Sequence, residues 1–471
     1  MTNLITSLIT SISILFSTFF PSVLGDATTN KCGLPPPEES TLSQYAKKRQ
    51  FNVAGLIGEC FRSNQTNAAL CKQIAAQEYA SMFMQYQDTW RQTEKTQGFN
   101  DFTRFDEVIT FARNNNMKLH FYHLIWTNGK TNSYTPTWLF TENNCGTWTR
   151  SQLLEIMKTH IQTTMIHGAD TVTVWNVVNE AFSENGAMST NCFKSIIGLD
   201  YIDKAFEYAH EIAPNAILVL NDAVGKDRMH IVEVDAFFKY VKNAKARGIQ
   251  IDAVGLENHL ISTTGEQFSA GYLQDLNYYF QKAQDANVKV LITEMDVYQA
   301  GHSQEDVANL YKKVTAKCLS HSNCISLGTW GISDKYSWVR LPNHANLTDA
   351  KPLLFDENYQ RKPAYYGVMD AIRENTTRPC VGIPSTTTQT PTPTFKPTNT
   401  PVNTPFISAT PTSTQKTADI NGDGKVNMLD YNILLANFKK TGIPGFIPSD
   451  IDKNGKVDIF DYNVIVKNFN K

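Results

Sequence analysis

Residues 171–186 read TVTVWNVVNEAFSENG. A run of β-branched and aromatic residues ends in an Asn-Glu pair, after which the chain turns polar. A continuous apolar run of this kind belongs to a strand covered on both faces, as in a parallel sheet. A carboxylate at its tip then needs a reason. The plain one is that Glu180 caps the next segment or meets solvent where a loop begins.

Outward from this stretch, similar short runs recur: FNVAGLI (51–57), EYASMFM (78–84), MKLHFYHLIW (117–126), AILVLND (216–222), DAVGLENH (252–259), VKVLITEMDV (288–297) and ISLGTWGI (325–332). Amphipathic segments lie between most of them, such as FTRFDEVITFARNNN (102–116) and SQLLEIMKTHIQTTMIHG (151–168), the latter closing on Gly168 as a helix C-terminus. Eight strand–helix units over roughly 340 residues suit an α/β fold of the (β/α)8 TIM-barrel type, whose active site lies where the strands end. Polar residues that look misplaced in strand sequences would then share one mouth.

The chain of 471 residues is 41% hydrophobic and 19% charged with a formal net charge of −2, so it can bury a large core and has no electrostatic bias toward nucleic acid or anionic membrane. Residues 1–25 read as a signal peptide, with an apolar segment over 4–24 and small or apolar residues before Asp26. Its n-region lacks Lys and Arg, which leaves an uncleaved anchor as the alternative; no other segment is apolar enough to span a bilayer. Eight cysteines show no CxxC and no zinc-type spacing, so after export disulfides are expected rather than metal. Proximity pairs Cys60 with Cys71 and Cys318 with Cys324, leaving Cys32–Cys380 as a clasp between the ends of the large domain.

Residues 384–416 hold 12 Thr and 7 Pro in 33 positions, too much Pro for regular structure and too little apolar content for a core, so they read as an extended, disordered linker. The linker divides a catalytic-sized domain (26–383) from a small all-α one (417–471). In the latter, DINGDGKVNMLD (419–430) and DIDKNGKVDIFD (450–461) repeat 31 residues apart, each followed by a similar apolar segment. The pattern matches an EF-hand calcium loop, with Asp419, Asn421, Asp423, Asn427 and Asp430 in the first and Asp450, Asp452, Asn454, Asp458 and Asp461 in the second. Lys425 and Lys456 hold the main-chain ligand position, and Asp stands at the closing position in place of Glu. Two calcium ions are expected. The pair resembles a type I dockerin, which implies a cohesin domain of a scaffold or surface protein as partner.

Two strands of the barrel end in glutamate, WNVVNE at Glu180 and VLITEMD at Glu294, after strands four and seven. Carboxyls roughly 5 Å apart suit retaining glycoside hydrolysis, one attacking the anomeric carbon and the other acting as acid and then base. WNVVNE, LITEMDV, GLENHL, LND and TWGISDKYSW resemble the motifs of family 10 glycoside hydrolases, the endo-β-1,4-xylanases, over roughly residues 51–373. The resemblance implies Glu180 as acid/base, Glu294 as nucleophile and Asn179 as the amide binding the sugar 2-hydroxyl. It implies His259 and Asp296 as the pair orienting the nucleophile, and Trp126, Trp330 and Trp338 as aromatic walls of the glycone cleft. No cofactor is implied for catalysis.

The departures from the family cluster at the glycone side. Tyr86 and Thr89 replace an Asn and a Lys, leaving Trp90; Tyr122 and Thr127 replace two His; Glu257 replaces a Gln. His123, one position along, is expected on the opposite strand face. Three readings follow: a retaining endo-β-1,4-xylanase, a family relative cutting a different β-glycoside, and a non-catalytic, scaffold-tethered carbohydrate-binding protein. The last needs the tryptophans but not both glutamates. Sequons stand at Asn64, Asn346 and Asn375.

Overall fold

The computed structural model describes residues 32–381 apart from 62–65, 85–88, 127–133, 142–143, 184–185 and 224–230. Toward the C-terminus it describes 418–421, 425–437, 440–441, 447–457, 461, 464–465 and 468. The signal segment, the Pro/Thr-rich stretch, Asn64, Tyr86, Thr127, Asp423 and Asp458 therefore lie outside the described residues. The chain divides into two units, Met1–Pro384 and Ser385–Lys471.

The larger unit is a closed parallel barrel. Its strands are β1 (Asn52–Leu56), β2 (Ser81–Phe83), β3 (Lys118–Phe121), β4 (Val172–Asn179), β5 (Ile217–Asp222), β6 (Ala253–Leu256), β7 (Lys289–Val297) and β8 (Cys324–Thr329). Each pairs in parallel with the next and β8 pairs with β1, which closes the ring. The eight apolar runs of the sequence are these eight strands. Two break near the mouth: Ile125–Trp126 resumes after β3 and pairs with β4, and His259–Leu260 resumes after β6 and pairs with β7.

A helix follows each strand: α1 (Ala68–Glu78), α2 (Thr103–Asn114), α3 (Arg150–Gly168), α4 (Tyr201–Ile212), α5 (Ile231–Ala246), α6 (Ala270–Asp285), α7 (Gln304–Ser320) and α8 (Pro363–Glu374). Thr149 and Gln152 form a reciprocal capping box at the start of α3, satisfying two orphan N–H groups. Gly168 ends α3 for a different reason from the one the sequence implies. The next residue stays right-handed, and a Cβ on Gly168 would approach Phe105 and Trp175 to 2.9 Å. Glycine is there to let the helix end press on the sheet.

All eight cysteines pair. Cys60–Cys71, Cys318–Cys324 and the Cys32–Cys380 clasp form as expected, and Cys145 joins Cys192. Among the described residues no helix is long and apolar enough to cross a membrane. In the smaller unit, helix α9 (Met428–Asn437) contributes Leu434 to a small core with Ala418, Val426, Val457 and Ile465.

Candidate active site and calcium loops

Glu180 stands one residue beyond β4. Its N–H still continues the ladder, donating to the Asn221 carbonyl at 3.0 Å, but its φ of +49° is left-handed. For a residue with a Cβ that conformation costs roughly 1–3 kcal/mol and persists only where neighbours impose it. One oxygen of the carboxylate, Oε2, accepts from Trp126 Nε1 at 2.9 Å. The segment beyond is tied down by the buried Asp222, whose carboxylate accepts from the Phe182 N–H at 3.0 Å; burial pushes that carboxyl well above the usual range. The Glu180 carboxylate is thus held by Trp126 while the residue itself stays part-exposed at the loop start.

Glu294 is reached through irregularity in β7. Leu327 of β8 stands opposite Ile292 while Thr329 stands opposite Met295, so β7 carries one extra residue. This bulge lets adjacent Thr293 and Glu294, which regular alternation would send to opposite faces, meet the same partner. Thr293 Oγ1 donates to Asn221 Oδ1 at 2.8 Å, and Asn221 Nδ2 donates to Glu294 Oε1 at 2.9 Å. A similar slip in β4 relative to β5 brings Asn176 and Asn179 together, the Asn176 amide donating to Asn179 Oδ1 at 3.1 Å. Asn221 also donates to that oxygen, at 2.7 Å. With its carbonyl occupied twice, Asn179 has its NH2 as the end suited to a ligand hydroxyl.

The second oxygen of Glu294 is met by His259 Nε2 at 3.2 Å, and His259 Nδ1 lies 3.0 Å from Asp296 Oδ1. Trp338 Nε1 completes the chain, donating to Asp296 Oδ2 at 2.6 Å. Burial disfavours a charged His259 ring, but Asp296 and Glu294 outweigh it and hold the imidazolium up to about 10. Burial also lifts the Glu294 carboxyl above its ordinary value, with His259 and Asn221 opposing. The ring is therefore a cation bracketed by two carboxylates, donating a proton bond to each.

Glu257 joins the same cluster, with Oε1 3.3 Å from Asn221 Nδ2 and Oε2 4.0 Å from His259 Nε2. It owes its aim to Asn258, whose left-handed backbone (φ +62°) and bond from the Tyr272 hydroxyl break strand six between Glu257 and His259. Tyr122 is fully buried, its ring edge-on to Phe83 and 5.6 Å from Trp330. Trp330 and Trp338 each form a T-shaped ring pair with His259, at 6.1 and 4.9 Å between centroids. Trp126 lies flat on Tyr134, 3.4 Å between centroids.

Trp90 is placed differently from the expectation of a cleft residue. It is buried, stacked on His160 at 3.9 Å, and its Nε1 donates to Glu94. Burial keeps His160 neutral, down to about 3, and its Nε2–H donates to the Leu124 carbonyl at 3.0 Å. Trp90 thus supports the Trp126 segment from behind. His123 does not follow strand alternation because β3 stops at Phe121; its ring lies 4.9 Å from Tyr122 and 4.6 Å from Trp126. Asn221, Asp222, Thr293 and Tyr134 were not singled out by the sequence. For the first two a signal existed, since AILVLND ends in a polar pair just as WNVVNE does.

In the smaller unit the two loops are built alike. Asp430 Oδ1 accepts the N–H groups of Ile420 and Asn421, and Asp461 Oδ1 accepts those of Ile451 and Asp452. Asp450 accepts from Asn454 and Gly455 N–H, and Gly455 has the left-handed φ (+85°) that the sharp turn of a calcium loop requires. Carboxylate oxygens of Asp450, Asp452 and Asp461 lie within 4.8 Å of one another, with Asp450 and Asp461 buried. Converging hard oxygen donors of this kind fit calcium. Asp419, Asn421, Lys425 and Asn427 flank Asp430 in the first loop; Lys456 stands beside Asn454 in the second, its N–H donating to the Asn454 side chain.

Comparison with known proteins bears on both units. The model of glycosyl hydrolase family 10 matches residues 46–371, and that of the dockerin type I domain matches 406–438. The dockerin match begins inside the Pro/Thr-rich stretch and covers the first loop and α9. Endo-1,4-beta-xylanase B of Thermotoga neapolitana is 27% identical over 346 residues, 72% of this chain and 93% of that protein. Endo-1,4-beta-xylanase 3 of Hypocrea jecorina is 31% identical over 284 residues, 60% and 73% of the two chains. The crystal structure of xylanase 10B from Thermotoga petrophila in complex with xylobiose superimposes with a TM-score of 0.62 at 27% identity, covering 71% of this chain and 97% of that one.

Proposed function

The chain belongs to glycosyl hydrolase family 10 and carries a dockerin type I domain, and from that premise we propose that it hydrolyses β-1,4-linked xylan by double displacement while tethered to a cohesin. The observation that carries the reading is the pair of strand-end glutamates, each held by its own donors: Glu294 between Asn221 and the His259–Asp296–Trp338 chain, Glu180 against Trp126. Glu294 attacks the anomeric carbon as the glycosidic C–O bond breaks, and Glu180 gives its proton to the departing oxygen. Glu180 then takes a proton from water, whose oxygen attacks the same carbon and releases Glu294. Esterification removes the Glu294 charge, which lowers the proton affinity of Glu180 for the second step.

The side chains in hand bind and orient. The Asn179 amide suits the 2-hydroxyl, and Trp330 and Trp338 supply faces for sugar stacking. A second reading, cleavage of a different β-glycoside, is favoured by Tyr122 and Glu257, which bring bulk and charge to the glycone side. Calcium, when bound, would supply the cation that the loop carboxylates converge on. The residues proposed to hold it are Asp419, Asn421, Asp423, Lys425, Asn427 and Asp430, with Asp450, Asp452, Asn454, Lys456, Asp458 and Asp461 in the second loop. Four disulfides support export through residues 1–25 and an extracellular or surface-attached destination.

Azide rescue tests the assignment. Glu294→Ala is expected to lose hydrolysis of all substrates and to regain turnover with azide as the inverted glycosyl azide, because the anion enters where the carboxylate stood. Glu180→Ala should keep its first step on aryl glycosides with good leaving groups and give the retained azide. Wild-type activity on xylan in either variant would remove that residue from its role.

A further inference from the structure

We propose that Tyr134 is a positioning residue for Glu180, acting through Trp126: its ring, laid flat on the indole, fixes the direction of the N–H that Trp126 donates to the Glu180 carboxylate. The inference rests on Glu180 being the acid/base of the proposed reaction.

Trp126 is poorly placed to stack on a sugar. It is implied as an aromatic wall of the cleft, yet it is only 9% exposed. The rings of Tyr134 and Trp126 are 13° from parallel with centroids 3.4 Å apart, so the phenol takes one face of the indole and a sugar cannot stack there. What the indole offers is its edge, with Nε1 donating to Glu180 Oε2 at 2.9 Å. The outer torsion of a tryptophan side chain is broad, and one hydrogen bond at the ring edge restrains it poorly. A second plane pressed on the ring face removes that tilt.

The two rings come from separate segments, each anchored. Trp126 sits in the strand extension that pairs with β4, opposite Asn179, the residue before Glu180. The Tyr134 carbonyl accepts the Arg91 N–H at 3.1 Å, and Trp138 Nε1 donates to the Glu94 carbonyl at 2.8 Å, which ties the tyrosine segment to residues 90–94. Trp90 in turn stacks on His160, whose Nε2–H reaches the Leu124 carbonyl in the segment leading to Trp126. Residues 90–94 thus hold both halves of the stack. Burial pushes the Tyr134 phenol up to about 12, with Glu180 and Glu294 adding to the rise, so the ring meets the two carboxylates as an uncharged surface.

Glu180 must present a proton to the departing oxygen in the first step and take one from water in the second. Its Oε2 accepts from Trp126, so the direction of that N–H bears on the plane of the carboxyl. Loosening the indole should therefore impair proton transfer and spare the attack by Glu294.

The test uses the full chain with Tyr134→Leu, which removes the flat ring, and Tyr134→Phe, which keeps it; Tyr134→Met serves if the leucine variant does not fold. Aryl β-xylobiosides with graded leaving groups separate the roles. With dinitrophenol, which departs without a proton, kcat/KM of Tyr134→Leu should stay close to the wild type. With a poor phenol, and with xylan, it should fall roughly tenfold or more, while Tyr134→Phe follows the wild type throughout. An equal loss on both substrate classes would mean that Tyr134 binds sugar and would overturn the proposal. An unchanged Tyr134→Leu would overturn it too, as would a Tyr134→Phe as impaired as Tyr134→Leu, which would place the role in the hydroxyl. The indole N–H resonance of Trp126, in protein carrying isotopically labelled tryptophan and identified with Trp126→Phe, gives a readout independent of turnover. Its hydrogen exchange should quicken in Tyr134→Leu and stay unchanged in Tyr134→Phe. Equal exchange in the wild type and both variants refutes the proposal and leaves the proposed function standing. A Glu180→Ala variant without leaving-group dependence strikes the proposed function instead, with the indole exchange still deciding whether Tyr134 holds Trp126.

Discussion

His259 is where the electrostatics of the site can be read most directly. Its ordinary value of 6.5 rises to about 10 because Asp296 and Glu294 more than offset burial. The stabilisation from the charged ring is therefore complete below about 6.5 and is lost as pH climbs through about 10. Asp296→Asn removes the largest opposing cause and leaves burial to act. The variant's ring should be neutral at neutral pH, seen in the nitrogen-proton couplings of labelled histidine, and the alkaline loss of thermal stability should flatten. A ring that stays charged in the variant would shift the credit to Glu294. The sequence placed GLENHL and TEMD in one barrel mouth; the hydrogen-bond chain from Trp338 to Glu294 follows only from their approach in space.

At the scale of the strand, the site depends on departures from regularity. The β7 bulge delivers Thr293 and Glu294 to one amide, and the slip in β4 does the same for Asn176 and Asn179. Strict alternation, the rule by which strand faces are read from sequence, hides such neighbours. Gly255 in β6 shows how tightly the amide is held: a Cβ there would stand 1.9 Å from Asn221 Oδ1. Gly255→Ala should therefore push Asn221 away from Glu294. We expect a loss of about 1–3 kcal/mol in denaturant stability and a fall in kcat larger than any change in KM. A variant that unfolds earlier but retains kcat would show that Asn221 relaxes without disturbing Glu294.

For the whole molecule, the Cys32–Cys380 bond ties together residues 348 apart, while Arg49 donates to the carbonyls of Ile372, Arg373 and Arg378 at the same seam. Replacing both cysteines by serine should lower stability by about 2–4 kcal/mol and the melting temperature with it, leaving kcat on aryl glycosides close to the parent. The calcium loops call for a local response. Chelation should raise hydrogen exchange at the amides bonded to Asp430, Asp450 and Asp461, such as Ile420, Ile451 and Gly455, with no change in barrel amides. Unaltered exchange in the loops would remove calcium from the account of this unit.

Short-range chemistry alone is legible in the order of residues. Apolar runs closed by turn signals mark eight strands, composition marks the Pro/Thr-rich stretch, and paired acidic loops mark the C-terminal repeats. Glutamates at two strand ends mark the pair to which the catalytic roles are proposed. The tertiary structure alone decided how the strand ends are supported. Asn221 serves Asn179, Glu257 and Glu294 because β5 runs between β4 and β6. Trp90 turns inward because His160, on α3, offers it a ring face. Gly168 is small because Phe105 and Trp175 converge on it from separate elements. Each of these depends on contacts between residues far apart in the chain, and the distance at which a donor meets an acceptor is set by packing that no local pattern encodes.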